Sequence, residues 1–167
     1  MKALGDAARA EGRVYFSGGA SAVLEGWRRA TVDVDIEAVP DSDLLLRAIP
    51  DIKESLNINV ELASPAHFIP PLPNWEDRCP FIGRVGPLEF FHYDFYSQAL
   101  SKVQRGLEKD LKDVRAMVER SLVTPEHIWK MFRRIEPSLY RYPALDPESF
   151  REAVEAAFGS EGSRPTE

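Results

Sequence analysis

Asp33 and Asp35 lie one residue apart in the stretch Val32 to Val39, where Val32, Val34 and Ile36 alternate with Asp33, Asp35 and Glu37. Residues two apart on a strand leave the same face, so these two carboxylates project side by side. Left bare they would repel, and one would be driven towards its protonated form. A shared cation removes that cost. Mg²⁺ suits the role, because it takes oxygen ligands and is typically held by one or two carboxylates, with substrate phosphates and waters completing its shell. The same pair also fits the solvated face of an edge strand.

Two further features bear on the choice. Gly18-Gly19 follows the short run Arg13 to Ser17 (RVYFS) and precedes a helical stretch, Ala20 to Trp27. Paired glycines let backbone N–H groups approach an anion, and a helix start favours negative charge. Ser17 and Ser21 put hydroxyls beside that turn. A plain strand-to-helix turn would use the same glycines. The second feature is Glu61, in the alternating run Asn57 to Ala63, where it shares a face with Asn57 and Asn59. If the two acidic strands are neighbours, Asp33, Asp35 and Glu61 converge. Three carboxylates beside a phosphate-binding turn suit metal-assisted phosphoryl or nucleotidyl transfer. Otherwise Glu61 is an exposed strand residue.

These residues need elements to position them. The pattern predicts a short helix over Lys2 to Glu11, a strand over Arg13 to Ser17, and a strand over Val32 to Val39 ended by Pro40. A helix follows over Asp41 to Ile49, with Asp41 or Ser42 as N-cap. His67 to Pro80 holds Pro70, Pro71, Pro73 and Pro80 and reads as a surface loop, with Trp75 anchoring it to the core or stacking on a base. Phe81 to Val85 and Leu88 to Tyr93 flank Gly86-Pro87 as a hairpin. Helical stripes follow, broken near Gly106 and restarted at Thr124-Pro125-Glu126 and Pro147. The expected organisation is a sheet domain over 1–93, a helical region over 94–158 and a disordered tail over 159–167.

The stretch SGGASAVLEGWRRATVDVDI, Ser17 to Ile36, resembles the signature of the DNA polymerase β-type nucleotidyltransferase superfamily. There a Gly-Gly or Gly-Ser turn and a short helix precede a strand bearing D-x-D, with a third carboxylate on a later strand. More narrowly, the chain is similar to bacterial nucleotidyltransferases of the AbiEii toxin type. Thr31 matches a Thr shortly before the D-x-D. ALSKVQRGLEKDLKDV, Ala99 to Val114, matches a helical Lys followed by a Lys-Asp/Asp pattern, through Lys102, Arg105, Lys109, Asp110 and Asp113. The resemblance implies an α+β fold, a small mixed sheet flanked by helices, with a C-terminal helical region. It implies two Mg²⁺ ions on Asp33 and Asp35, with Glu61 completing the metal site and activating an acceptor hydroxyl. Gly18, Gly19 and Ser21 would hold the β- and γ-phosphates near Thr31, and Lys102 would neutralise the triphosphate. An NTP such as ATP would give its NMP to tRNA, a protein or a small molecule, and an antitoxin would be a partner. The other reading is a non-catalytic nucleotidyltransferase-fold module in a toxin–antitoxin or defence complex. Two departures stand out: the hydroxyl expected after the first glycine is displaced to Ser21, and the third carboxylate is Glu rather than Asp.

Composition narrows the rest. The chain has 167 residues, is 44% hydrophobic and 29% charged, and carries a formal net charge of -6. That charge does not suit a general nucleic-acid binder. Phe95 to Tyr142 nonetheless holds ten Lys and Arg against six Asp and Glu, a local excess that would suit a polyanion or simply solvated helices. No apolar run is long enough to span a bilayer and Met1 to Arg13 lacks the apolar core of a signal peptide, so a cytoplasmic site is expected. The single cysteine, Cys79, reads as a small buried hydrophobe. His67, His92 and His127 have no metal-ligand spacing, and Tyr140, Arg141 and Tyr142 would either pack or touch RNA.

Overall fold

A computed structural model describes residues 1–40 and 43–162. Strands β1 (Gly12–Ser17), β2 (Asp33–Val39), β3 (Asn59–Leu62), β4 (Phe81–Val85) and β5 (Leu88–His92) form one sheet in the order β3-β2-β1-β5-β4. The sheet is mixed. β1 runs antiparallel to β2 and parallel to β5, while β2 runs parallel to β3 and β4 antiparallel to β5. The helices are α1 (Lys2–Ala7), α2 (Gly18–Leu24), α3 (Asp43–Leu56), α4 (Phe95–Arg105), α5 (Glu108–Glu119), α6 (Pro125–Ile135) and α7 (Pro147–Phe158). The fold is α+β, as the resemblance implies.

Two compact units emerge: Met1–Ser64 with Glu76–Asp94, and Pro65–Trp75 with Phe95–Glu167. In the first, one face of the sheet is apolar. Val14 and Phe16 of β1, Ile36 and Ala38 of β2, Val60 of β3, and Leu88 and Phe90 of β5 pack with Leu4 of α1, Ala20 of α2, and Leu45, Ile49 and Ile52 of α3. Period-two alternation therefore sends Asp33, Asp35 and Glu37 to the opposite face.

Three sequence expectations change. The helix predicted to end at Ile49 continues through Pro50 to Leu56. A proline inside a helix costs about 3 kcal/mol, but Ile52 lies on the buried stripe with Leu45 and Ile49, and burying such a side chain recovers about 1.5–3 kcal/mol. Its expected caps, Asp41 and Ser42, lie outside the described residues. The proline-rich stretch from His67 to Pro80 lies over the surface only in part: Pro71, Pro73 and Pro80 are exposed, but Ile69, Pro70 and Leu72 are buried in the helical unit. Its prolines fix extended backbone, but its apolar side chains still seek a core. At the other end, Gly159 ends α7 with a positive φ and its carbonyl accepts from Trp129 Nε1 at 3.0 Å. Residues 159–162 are thus described, and the rest of the expected disordered tail lies outside the described residues.

The helical unit follows its punctuation. Thr124 caps α6, accepting from the His127 backbone N–H at 3.4 Å, and Asp146 caps α7, accepting from that of Ser149 at 2.8 Å. Gly106 takes a positive φ between α4 and α5. Among the described residues, no helix is long and apolar enough to cross a membrane.

Candidate active site

The register of β2 builds the site. Asp35 pairs with Ser17 of β1 on one side and with Glu61 of β3 on the other, and Asp33 pairs with Asn59. Directly paired residues share a face with Cβ atoms about 4.5–5.5 Å apart, so Asp33, Asp35 and Glu61 point the same way from adjacent strands. Asn59 ties two of them together: its Nδ2 donates to Glu61 Oε1 at 2.8 Å and to Asp33 Oδ1 at 3.3 Å. An amide donor between two carboxylates offsets part of their repulsion. Asn59 was visible in the sequence as a member of this polar face, but its bridging role needs the β2–β3 register, which the sequence leaves open.

The glycine turn closes on this face. Gly18 has φ +59, and a Cβ built on it would overlap Asp35 Oδ2. A Cβ on Gly19 would overlap Thr31 Oγ1 and lie 3.2 Å from the Asp33 carbonyl oxygen. Each glycine therefore admits part of the D-x-D segment to the backbone at a distance no larger residue allows. Thr31 fixes the entry to β2. Its Oγ1 donates to the Asp33 carbonyl at 3.0 Å and accepts from the Asp33 N–H at 3.2 Å. Ser17 donates to the Ala63 carbonyl at 3.4 Å, joining β1 to the end of β3.

Two expected site residues make contacts of their own. Ser21 is fully buried, and its hydroxyl donates to the Phe16 carbonyl at 2.8 Å and lies 3.0 Å from His92 Nδ1. Its contacts with Phe16 and His92 set it on the apolar side of the sheet, where the Phe16 side chain lies. Lys102 belongs to the helical unit. Its ammonium is buried and donates to Asp113 at 2.7 Å and to Asp110 at 3.3 Å, while Arg105 reaches Asp110 at 2.8 Å. The Lys-Asp/Asp pattern thus closes on itself, with the charge expected on a triphosphate committed to two carboxylates. Lys109 is exposed.

The remaining candidates are quickly placed. His67 and His127 are exposed, and Trp75 is half-buried. Tyr140 is 72% exposed, with the Arg141 guanidinium 5.7 Å from its ring centre, while Tyr142 donates to the Ala66 carbonyl at 2.9 Å. Cys79 is half-buried, and burial pushes its thiol up to about 12, which leaves it inert as a nucleophile at neutral pH. Among the described residues, no three His, Cys, Asp or Glu side chains are gathered tightly enough to hold a metal ion as they stand. Mg²⁺ sites in general take one or two protein carboxylates, the other ligands being phosphate and water.

Comparison with known proteins agrees with the geometry. The model of a family described as nucleotidyltransferase of unknown function (DUF6036) matches residues 2–154. No curated protein and no solved structure matches the chain.

Proposed function

The chain belongs to the DUF6036 family of nucleotidyltransferases, and from that premise we propose that it moves a nucleoside monophosphate from an NTP to an acceptor hydroxyl, with Mg²⁺ held by Asp33 and Asp35. One observation carries the reading: Asp35 stands between Ser17 and Glu61 across three strands, with Gly18 closed against its carboxylate. The donors are hard carboxylate oxygens, and only a glycine at position 18 lets the Asp35 carboxylate hold its place, since a Cβ there would collide with Oδ2. Hard oxygen donors fit Mg²⁺. When bound, the ion supplies Lewis-acid stabilisation of charge on the phosphates.

The chain's own residues do the rest. Gly18 and Gly19, having no Cβ, form a close turn against Asp35 and Thr31 at the edge of which phosphate oxygens would be received, and Thr31 and Asn59 hold the carboxylates in line. The acceptor oxygen bonds to the α-phosphorus as pyrophosphate leaves, and Glu61 takes the hydroxyl proton. In this reading Lys102 holds α4 to α5, and Ser21 holds α2. The likeness to AbiEii-type toxins makes tRNA the first acceptor to test. Incubation with each α-labelled NTP, Mg²⁺ and tRNA, then protein and small-molecule acceptors, should give labelled product. Asp33→Ala and Asp35→Ala should abolish it while circular dichroism stays unchanged. Absence of product from every NTP and acceptor, together with absence of Mg²⁺–NTP binding by calorimetry, would sink the proposal. Binding without transfer would favour the second reading, a nucleotide-binding module.

A further inference from the structure

We propose that the buried Ser21 and His92, with the half-buried Glu25, form a network that positions α2, and through it the Gly18–Gly19 turn that abuts Asp35 and Thr31. The inference rests on reading Asp35 as a site carboxylate. At seven residues, α2 is far too short to hold itself together, so its place must come from tertiary contacts. His92, the last residue of β5, pairs with Phe16 across the parallel β1–β5 register, which sets its ring under the helix. There Nδ1 lies 3.0 Å from Ser21 Oγ, and Nε2 lies 3.1 Å from Glu25 Oε1. One ring thus grips α2 in its first turn and at its C-cap. Ser21 in turn reaches the carbonyl of Phe16, two residues before Gly18, at 2.8 Å.

Proton counting shows what the network demands. Ser21 has one hydroxyl proton. If Phe16 takes it, Nδ1 must donate to Ser21. The Glu25 carboxylate accepts, so Nε2 must donate as well. A doubly protonated ring satisfies all three contacts together. A neutral ring keeps Nε2–H on Glu25 and makes Nδ1 an acceptor, so the Phe16 carbonyl and Nδ1 compete for the Ser21 proton. Burial holds the His92 pKa below its ordinary value, and Glu25 pulls it part of the way back. Around the ring, α2 contributes Glu25 as the charged group, β1 contributes Phe16, and the Pro80 carbonyl ahead of β4 takes the His92 backbone N–H at 2.9 Å. His92 is therefore a positioning residue whose grip on the turn changes with one proton.

The test uses the full chain without nucleotide. Imidazole NMR should place the His92 pKa below about 6.5, and Glu25→Gln should lower it further. In His92→Ala, hydrogen exchange of the amides of residues 18–22 should quicken by about tenfold or more, while Val14 and Phe90 in the sheet keep their protection. His92→Gln keeps a donor and an acceptor but loses the titration, so it should fold and remove the pH dependence of the protection at 18–22, taken relative to intrinsic exchange, between about pH 5 and 7. Where transfer is measurable, His92→Gln should lower kcat by about tenfold with KM changed by less than about threefold. Unchanged exchange at 18–22 in His92→Ala, or an unchanged pH dependence in His92→Gln, overturns the network. Neither arm needs nucleotide, so failure of the transferase reading alone would leave these results intact.

Discussion

At the scale of single residues, Gly18 and Lys102 offer the sharpest tests, because each has one dominant constraint. Gly18 combines a left-handed backbone with the Asp35 carboxylate where a Cβ would go. The backbone term alone costs a non-glycine residue about 1–2 kcal/mol. The collision is worse for function, since it falls on the atom proposed to hold the metal. Gly18→Ala is therefore expected to lose about 1–2 kcal/mol of stability in urea denaturation and nearly all label transfer. A folded Gly18→Ala with wild-type activity would show that Asp35 need not hold its present place. Lys102 poses the opposite question. Its ammonium sits between Asp110 and Asp113, both buried, and Asp110 Oδ2 has no hydrogen-bond partner among the described groups. Removing one member of a buried pair leaves an uncompensated charge and costs about 3–5 kcal/mol. Lys102→Met should show that loss in denaturation curves measured without nucleotide. A stability within about 0.5 kcal/mol of wild type would instead free the lysine for a substrate role.

At the scale of elements, the alternation of Val32 to Ile36 and of Asn57 to Leu62 made the acidic faces legible, because period two is a local property. Their convergence was not legible, since it depends on β3 lying parallel beside β2 in one register. The network around His92 was hidden for the same reason: Ser21 and His92 stand 71 positions apart. The Lys-Asp/Asp pattern was legible but its pairing through Lys102 was not, because a sequence does not say whether lysine and aspartate on successive helices face solvent or each other. Helix α3 was ended at Ile49, although its apolar stripe runs on past Pro50 to Ile52. That misjudgement yields its own prediction. Pro50 is exposed and interrupts the backbone bonding of an otherwise continuous helix. Restoring a donor with Pro50→Ala should raise stability by about 1–3 kcal/mol, less whatever the unfolded chain regains in freedom. Urea denaturation decides it, and a destabilised variant would mean that α3 depends on the proline's shape.

At the scale of the whole chain, charge is partitioned between the two units. Met1–Ser64 with Glu76–Asp94 carries nine Lys and Arg against fifteen Asp and Glu, whereas Pro65–Trp75 with Phe95–Glu167 carries twelve of each. The net -6 of the protein therefore lies entirely in the sheet unit, whose β2 carboxylates are its proposed chemical centre. The basic run over 95–142 is cancelled by the acids of α7 and the residues around it, so the helical unit as a whole has no excess to draw in a polyanion. An acidic unit should favour Mg²⁺ over free triphosphate and bind the nucleotide best as its metal complex. A ligand that binds the native state and not the unfolded one stabilises by RT ln(1 + [L]/Kd), about 2.7 kcal/mol at a hundredfold excess over Kd. Mg²⁺ should therefore raise the melting temperature by several degrees, less at high salt, where screening weakens the field. If the units melt separately, the shift belongs to the sheet unit's transition, and the helical transition keeps its midpoint. Asp35→Ala should remove the shift, whereas Lys102→Met, though less stable, should keep it. A shift that survives Asp35→Ala would assign the cation to acidic surface at large rather than to the β2 pair.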